Sequence, residues 1–515
     1  MSWEAEVDEL RRRRAMAAGM GGPAKIQRQH EAGRLTIRER IDRLLDPGSF
    51  HEIGGLAGSA RYDDHGNLIE VTPSNTIYGR GRIDGRPVVV TGDDFTVRGG
   101  AADAANHDKQ AAAEQLAGEY RLPIIRLIEG TGGGGSVRTI LSDGYTYLPV
   151  LPGWEHTAAN LATVPVAALG LGPVAGLGAA RMAASHYSLL VKGQSQMFVA
   201  GPPVVAAVGE QLTKEELGGS HIHTRNGAVD DEVESEDEAL ARARQWLGYL
   251  PASIHELPPR GPAGDDVARR DDWLIGAVPR DRRRVYKMRP ILEAVVDRGS
   301  FFEIGRHNGP SVITGLARLD GWPVAIVASD PFVLGGLWTA AAADKVIRFV
   351  DFASTFHLPV VHLVDNPGFI VGSRAEREAT IRVGVRAITA IYQAAVPWCT
   401  VVIRKAFGVA GAAHGPNQRY RYRYAWPSAD WGSLPLEGGI EAAYKADLAA
   451  AADPEALLRD LAARMDQVRS PFRTAEQYLV EEIIDPRDTR PLLCEFANLA
   501  APLRTPGPVG FGLRP

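Results

Sequence analysis

The feature that most restricts the fold of this 515-residue chain is an internal duplication. Asp46-Pro-Gly-Ser-Phe-His-Glu-Ile-Gly54 returns as Asp297-Arg-Gly-Ser-Phe-Phe-Glu-Ile-Gly305, each copy preceded by an apolar segment with helical spacing. Asp84-Gly-Arg-Pro-Val88 matches Asp320-Gly-Trp-Pro-Val324, a tight turn entering an apolar strand. At that same offset of 236 residues Asp94 meets Asp330, Gly99-Gly100 meets Gly335-Gly336, and Asp108-Lys109 meets Asp344-Lys345. A helical stretch follows each lysine. Leu122-Pro123 or Leu358-Pro359 then opens a buried strand that ends in an acid, Glu129 or Asp365. Strand, helix, strand implies a right-handed crossover and parallel pairing. The predicted fold is therefore α/β, one unit used twice, with both copies in a single enzyme core.

A second strand and loop close each copy, through Gly172-Pro-Val-Ala-Gly-Leu-Gly178 and Arg404-Lys-Ala-Phe-Gly-Val-Ala410. Gly176 pairs with Gly408, and Leu177 with Val409. Between the copies, Leu257-Pro-Pro-Arg-Gly-Pro-Ala-Gly264 and the charges that follow have the composition of a linker. The expected division is 1–256, a linker at 257–284, and 285–515.

With 57 basic against 62 acidic residues and a net charge of −5, no polyanionic partner is expected, neither nucleic acid nor an anionic membrane surface. Cys399 and Cys494 are the whole cysteine complement, too few for a disulfide framework or a four-cysteine zinc site. Charges begin at Glu4, and no apolar run has the length of a signal or membrane span, so the expected compartment is the cytoplasm.

Strands ending in glycine-rich loops before small-residue helices present backbone N–H groups at a helix start, an arrangement suited to an anion. Phosphate, carboxylate and a thioester enolate all qualify. Gly130-Thr-Gly-Gly-Gly-Gly135 lacks the lysine of a P-loop and fits no dinucleotide fingerprint, and no nucleophile elbow is present. Catalysis by backbone amides is what remains. His221-Ile-His223 offers two metal ligands from one strand face without further ligands, so no metal is expected. The acidic run Asp230 to Glu238 and the basic run Asp281 to Arg284 are expected to be solvated faces.

Several stretches taken in order carry a family resemblance: Arg34-Leu-Thr-Ile-Arg-Glu-Arg-Ile41, Asp94-Phe-Thr-Val97, Gly201-Pro-Pro-Val-Val205, Glu215-Glu-Leu-Gly-Gly219 with His223, Val364-Asp-Asn-Pro-Gly-Phe369, Ile403-Arg-Lys-Ala-Phe-Gly408 and Tyr424-Ala-Trp-Pro427. From about Gly33 to Leu499 the chain resembles the carboxyltransferase (β) subunit of biotin-dependent acyl-CoA carboxylases, of the propionyl-CoA and methylcrotonyl-CoA carboxylase type. The resemblance implies two tandem crotonase-like domains. The first would hold acyl-CoA, and the second would receive biotin carried on a separate biotin carboxylase/biotin carrier (α) subunit; the assembly would be a homo-oligomer, typically a hexamer. It implies transfer of a carboxyl group from carboxybiotin to an acyl-CoA enolate, with backbone amides each worth on the order of 3 kcal/mol as oxyanion donors.

Carried over by position, the amides of Gly176 and Leu177 would hold the thioester enolate, and those of Val409 and Ala410, beside Gly408, the biotin carbonyl. Gly132, Gly133, Gly134, Gly172 and Phe369 are further candidate binding positions. Lys109 and Lys345 suit CoA phosphate or biotin, and equally a salt bridge at a helix start. Most relatives have a second glycine in place of Leu177, and many in place of Val409. Arg421 stands where propionyl-type relatives have an aspartate associated with acyl choice. Its forked donors would suit a carboxylate, and an exposed strand edge is the plainer reading. These departures imply an atypical acyl substrate. A biotin-independent enzyme such as a decarboxylase, and a non-catalytic scaffold, are the alternatives.

Overall fold

The computed structural model describes residues 2–104, 106–133, 140–141, 144–146, 148–416, 420 and 422–514, with the backbone alone for Asp103 and Glu437. The chain divides into two compact units, Met1–Glu256 and Leu257–Pro515.

The repeated segments form the same local structures for the same reasons. In the helix Ile37–Leu44, Thr36 and Glu39 cap the start reciprocally, and Ile37, Arg40, Ile41 and Leu44 turn inward. Its counterpart Met288–Val295 buries Met288, Ile291, Leu292 and Val295 at matching spacing. The aspartate after each helix fastens a distant hairpin. Asp46 accepts from the N–H groups of Asp84 and Gly85, and Asp297 from those of Asp320 and Gly321. Both central residues of each two-residue turn have positive φ, 50° and 77° in the first copy and 49° and 76° in the second. Such turns match the twist of antiparallel strands.

In the first unit the strands are β1 (His51–Ile53), β2 (Gly58–Tyr62), β3 (Leu68–Pro73), β4 (Thr76–Ile83), β5 (Arg86–Asp93), β6 (Ile124–Gly130), β7 (Val166–Ala175), β8 (Tyr187–Val191), β9 (Gln196–Phe198) and β10 (Asp231–Val233). The main sheet runs β1-β4-β5-β6-β7-β8-β10, with β9 pairing a second length of β7. Pairing is parallel from β5 onward, and the helix His107–Tyr120 makes the crossover between β5 and β6. All seven residues of β6 are buried, as expected of a strand covered on both faces.

The second unit repeats this order with β11 (Phe302–Ile304), β12 (Val312–Leu319), β13 (Trp322–Ser329), β14 (Val360–Asn366), β15 (Trp398–Phe407), β16 (Tyr422–Ala425), β17 (Asp430–Gly432) and β18 (Glu482–Ile483). Its sheet runs β11-β12-β13-β14-β15-β16-β18, with β17 on the far end of β15. The hairpin β2–β3 has no counterpart here. It is the insertion that shortens the repeat offset from 251 residues at Asp46/Asp297 to 236 at Asp84/Asp320. Residues 257–284 pack on this unit: Leu274 joins its core, and Arg269 donates to Asp265, Asp271 and the Val296 carbonyl.

Two expectations are corrected. His221 and His223 lie on the helix Ser220–Asn226, not on a strand. Two residues apart on a helix, they point in different directions. His221 Nδ1 lies 3.4 Å from Glu215, and His223 Nε2 bonds the Met197 carbonyl at 2.8 Å. The acidic run is a solvated face only in part, at the exposed Glu234, Asp237 and Glu238. Asp230, Asp231 and Glu236 are buried, accepting respectively from Ser188, from Tyr187 and Arg242, and from Arg40. Each carboxylate has a donor from a distant element, which sequence spacing does not reveal.

Candidate functional site

In each unit the third parallel strand ends in a glycine that only glycine readily accommodates. Gly176 has φ 58° and ψ −121°, and Gly408 has φ 61°. The chain then turns into a short helix, Leu177–Ala183 or Gly408–Ala412. First-turn amides have no intrahelical acceptor. Gly176 itself donates to the Phe198 carbonyl at 3.3 Å, so the donors left at this turn include the N–H groups of Leu177 and Gly178. In the second unit they are those of Val409 and Ala410. Leu177 and Val409 both have negative φ, so neither position requires glycine by its backbone conformation. Val409 is 59% exposed and Leu177 half-buried, so both side chains bear on what may enter.

The first turn opens on a cavity of about 60 Å³ lined by Gly130, Gly132, Gly133, Ala175, Leu177 and Gly178 on its backbone side. Asn75, Asp93, His107, Gln110 and Arg181, with Gly100, Ala102 and Ile128, line the rest. Gly132 and Ala101 bridge as a short parallel pair, tying the loops after β5 and β6 together. The second turn borders a cavity of about 400 Å³ that includes Gly408, Gly411, His414, Arg423, Trp431 and Thr474. There Arg423 is held by Glu481 at 2.6 Å and by the Leu479 carbonyl at 2.7 Å, and His414 Nδ1 bonds the Gly411 carbonyl at 2.8 Å.

Behind the first turn lies a buried ionic network. Glu129, at the end of β6, accepts from Arg34 and Arg40 at 2.5 Å each and from Gln29 at 2.9 Å. Arg40 also grips Glu236 and the Leu171 carbonyl of β7. Burial pushes the Glu129 carboxyl up, opposed by the two guanidinium groups. Gly172 belongs to this network: a Cβ there would sit 2.3 Å from Glu129 Oε1. In the second unit Asp365 takes the corresponding place, accepting from Tyr286 at 2.8 Å and from the Lys405 N–H at 3.1 Å.

The remaining sequence candidates fall as follows. Lys345 donates to the Gly305 carbonyl at 3.0 Å, and the Lys109 stem packs on Gly54, so the repeated lysines lie against the repeated positive-φ glycines. Burial lowers the Lys109 pKa. Phe369 packs edge-on to Trp338 and against Gly384. Neither lysine, nor Gly172, nor Phe369 is among the cavity-lining residues. Gly134 and Arg421 lie outside the described residues. Sequence reasoning missed Asp93, His107, Gln110 and Arg181. The signal that would have found them is a mismatch within the repeat, such as Asp93 against Ser329.

Among the described residues no helix is long and apolar enough to cross a membrane, and no group of three metal-ligating side chains forms. The Carboxyl transferase domain family matches residues 28–505. The propionyl-CoA carboxylase beta chain of Roseobacter denitrificans is 34% identical over 499 residues, 96% of each chain. The methylmalonyl-CoA decarboxylase subunit alpha of Veillonella parvula is 31% identical over 97% of each. The transcarboxylase 12S hexamer, solved with methylmalonyl-coenzyme A and methylmalonic acid bound, superposes with a TM-score of 0.88 at 30% identity, covering 100% of this chain and 99% of the other. The two α/β units thus share the crotonase-like fold of that enzyme.

Proposed function

This chain belongs to the carboxyl transferase family, and from that premise we propose that it is the carboxyltransferase subunit of a biotin-dependent acyl-CoA carboxylase with an atypical acyl substrate. The observation that carries the reading is the pair of positive-φ glycines at equivalent ends of β7 and β15, each opening onto amides with no intrahelical acceptor. One hole serves the enolate oxygen of the thioester and the other the ureido carbonyl of biotin, with N–H donors fixed before the charge develops. Biotin, carried on a partner α subunit, supplies the carboxyl group and the base. The chain's own task is to hold the two oxygens and exclude water. The first unit takes the acyl-CoA, the second takes biotin, and six copies assemble.

The reading is tested by purifying the complex from its native host and probing for biotin with streptavidin. A biotinylated partner, together with bicarbonate- and ATP-dependent labelling of an acyl-CoA, is the expected result. Purification with no biotinylated chain would overturn it. The likeness to the Veillonella decarboxylase subunit supports a second reading, in which the same hole stabilises the enolate formed on loss of CO2. That reading is favoured if a carboxylated acyl-CoA releases CO2 without ATP.

A further inference from the structure

Several side chains around the cavity beneath the first amide turn differ in kind from their counterparts in the second copy. Four of its side chains can be set against the second copy at the 236-residue offset: Asn75 against Ser311, Asp93 against Ser329, His107 against Ala343 and Gln110 against Val346. Five residues beyond the turn glycine stands Arg181 in the first unit and Ala413 in the second. In these five a larger polar residue stands in place of a small or apolar one, whereas Ala102 of the same lining stands against Trp338.

Arg181 is the member whose environment is incomplete. It lines the cavity four residues after Leu177, one helical turn along the same face, and is 6% exposed. A guanidinium carries five donors, and burying it without partners is costly. Yet among the described residues none of its guanidinium nitrogens makes a hydrogen bond. The nearest carboxylate oxygen, Asp93 Oδ1, is 3.8 Å away, beyond hydrogen-bond reach. The other buried charges nearby are satisfied. Arg126 is bidentate to Glu114 at 2.7 and 2.9 Å and donates to the Arg181 and Ala184 carbonyls, while Arg40 is closed by Glu129 and Glu236. Burial also raises the Asp93 pKa.

We propose that Arg181 is a specificity-determining residue that reads a carboxylate at the end of a short acyl chain, so that the substrate class is an acyl-CoA bearing a second acid group. The inference rests on the assignment of the first turn as the acyl-CoA hole. The planar fork of the guanidinium matches a carboxylate in two parallel hydrogen bonds. The amide of Leu177 and the head of Arg181, lining one small cavity, would hold the two ends of one acyl group.

The test is calorimetric titration of the assembled wild-type protein with CoA, propionyl-CoA and succinyl-CoA, repeated on Arg181→Met, Arg181→Lys and Asp93→Asn. Succinyl-CoA is expected to bind wild type at least about tenfold tighter than propionyl-CoA. That ratio should fall to near one in Arg181→Met, survive in part in Arg181→Lys, and rise in Asp93→Asn, where the competing carboxylate is gone. Equal binding of the two esters to wild type overturns the inference while leaving the carboxyltransferase reading intact, and so does an equal loss for both esters in Arg181→Met. Should Arg181→Met fail to fold, the wild-type ratio and Arg181→Lys decide the matter. No binding of any CoA compound removes the hole assignment and the inference with it.

Discussion

At the scale of single residues, conformational demand and chemical role separate cleanly at the two turns. The demand falls on Gly176 and Gly408, whereas Leu177 and Val409 occupy backbone that any residue adopts. A Cβ at Gly176 would have room, its nearest neighbour being Gly132 Cα at 3.9 Å, so the cost of Gly176→Ala is torsional, about 1–3 kcal/mol. Relief of that strain re-aims the amides of Leu177 and Gly178. Turnover should fall by on the order of 10²–10³ with the oligomer intact, as for loss of an oxyanion donor. Steady-state kinetics alongside light scattering checks this, and unchanged kcat would remove the hole from this turn. Leu177→Gly, by contrast, is expected to retain assembly and turnover.

Among elements, the network through Arg40 ties three of them to the turn: the helix Ile37–Leu44, the end of β6 and the helix Glu236–Leu247, with the Leu171 carbonyl of β7 as a further acceptor. Arg40→Met leaves Glu129 and Glu236 facing each other without their shared cation. Removing one partner from a buried ionic group costs about 3–5 kcal/mol. The Glu129 carboxyl, already pushed up by burial, would be opposed by Arg34 alone and pushed up further, so the folded state would bind more protons than the unfolded one. The variant's deficit should therefore be smaller at pH 5.5 than at pH 8, because a raised folded pKa favours folding at low pH and loses that contribution as pH rises. Urea denaturation at the two pH values measures it, and an equal deficit at both would show that the carboxylates are not coupled through Arg40. The sequence pattern marked this helix correctly by its apolar spacing, but placed Arg40 nowhere, since arginine on a core face reads as an exception until its partners 89 and 196 residues away are seen.

For the whole molecule, each unit leaves large apolar side chains open in the isolated chain: Val199, Val204 and Val208 in the first, and Val371, Ile381 and Val409 in the second. Surfaces of this kind are covered in oligomers. The likeness to the 12S hexamer over the full chain leads us to expect six copies. Light scattering at micromolar concentration should return the mass of a hexamer, and a monomer under those conditions would count against the assembly.

The sequence alone determined what repeats and what is periodic. The duplication, the parallel order of strands, the turn aspartates and the two hinge glycines were legible because each leaves a mark at a fixed spacing along the chain. The tertiary structure decided which polar side chains meet. Asp93 and Arg181 stand 88 residues apart and belong to no motif, and Lys109 and Lys345, repeated like the glycines, prove to lie against backbone. Burial of a charged group is a property of its neighbours in space, and the spacing along a chain does not contain it.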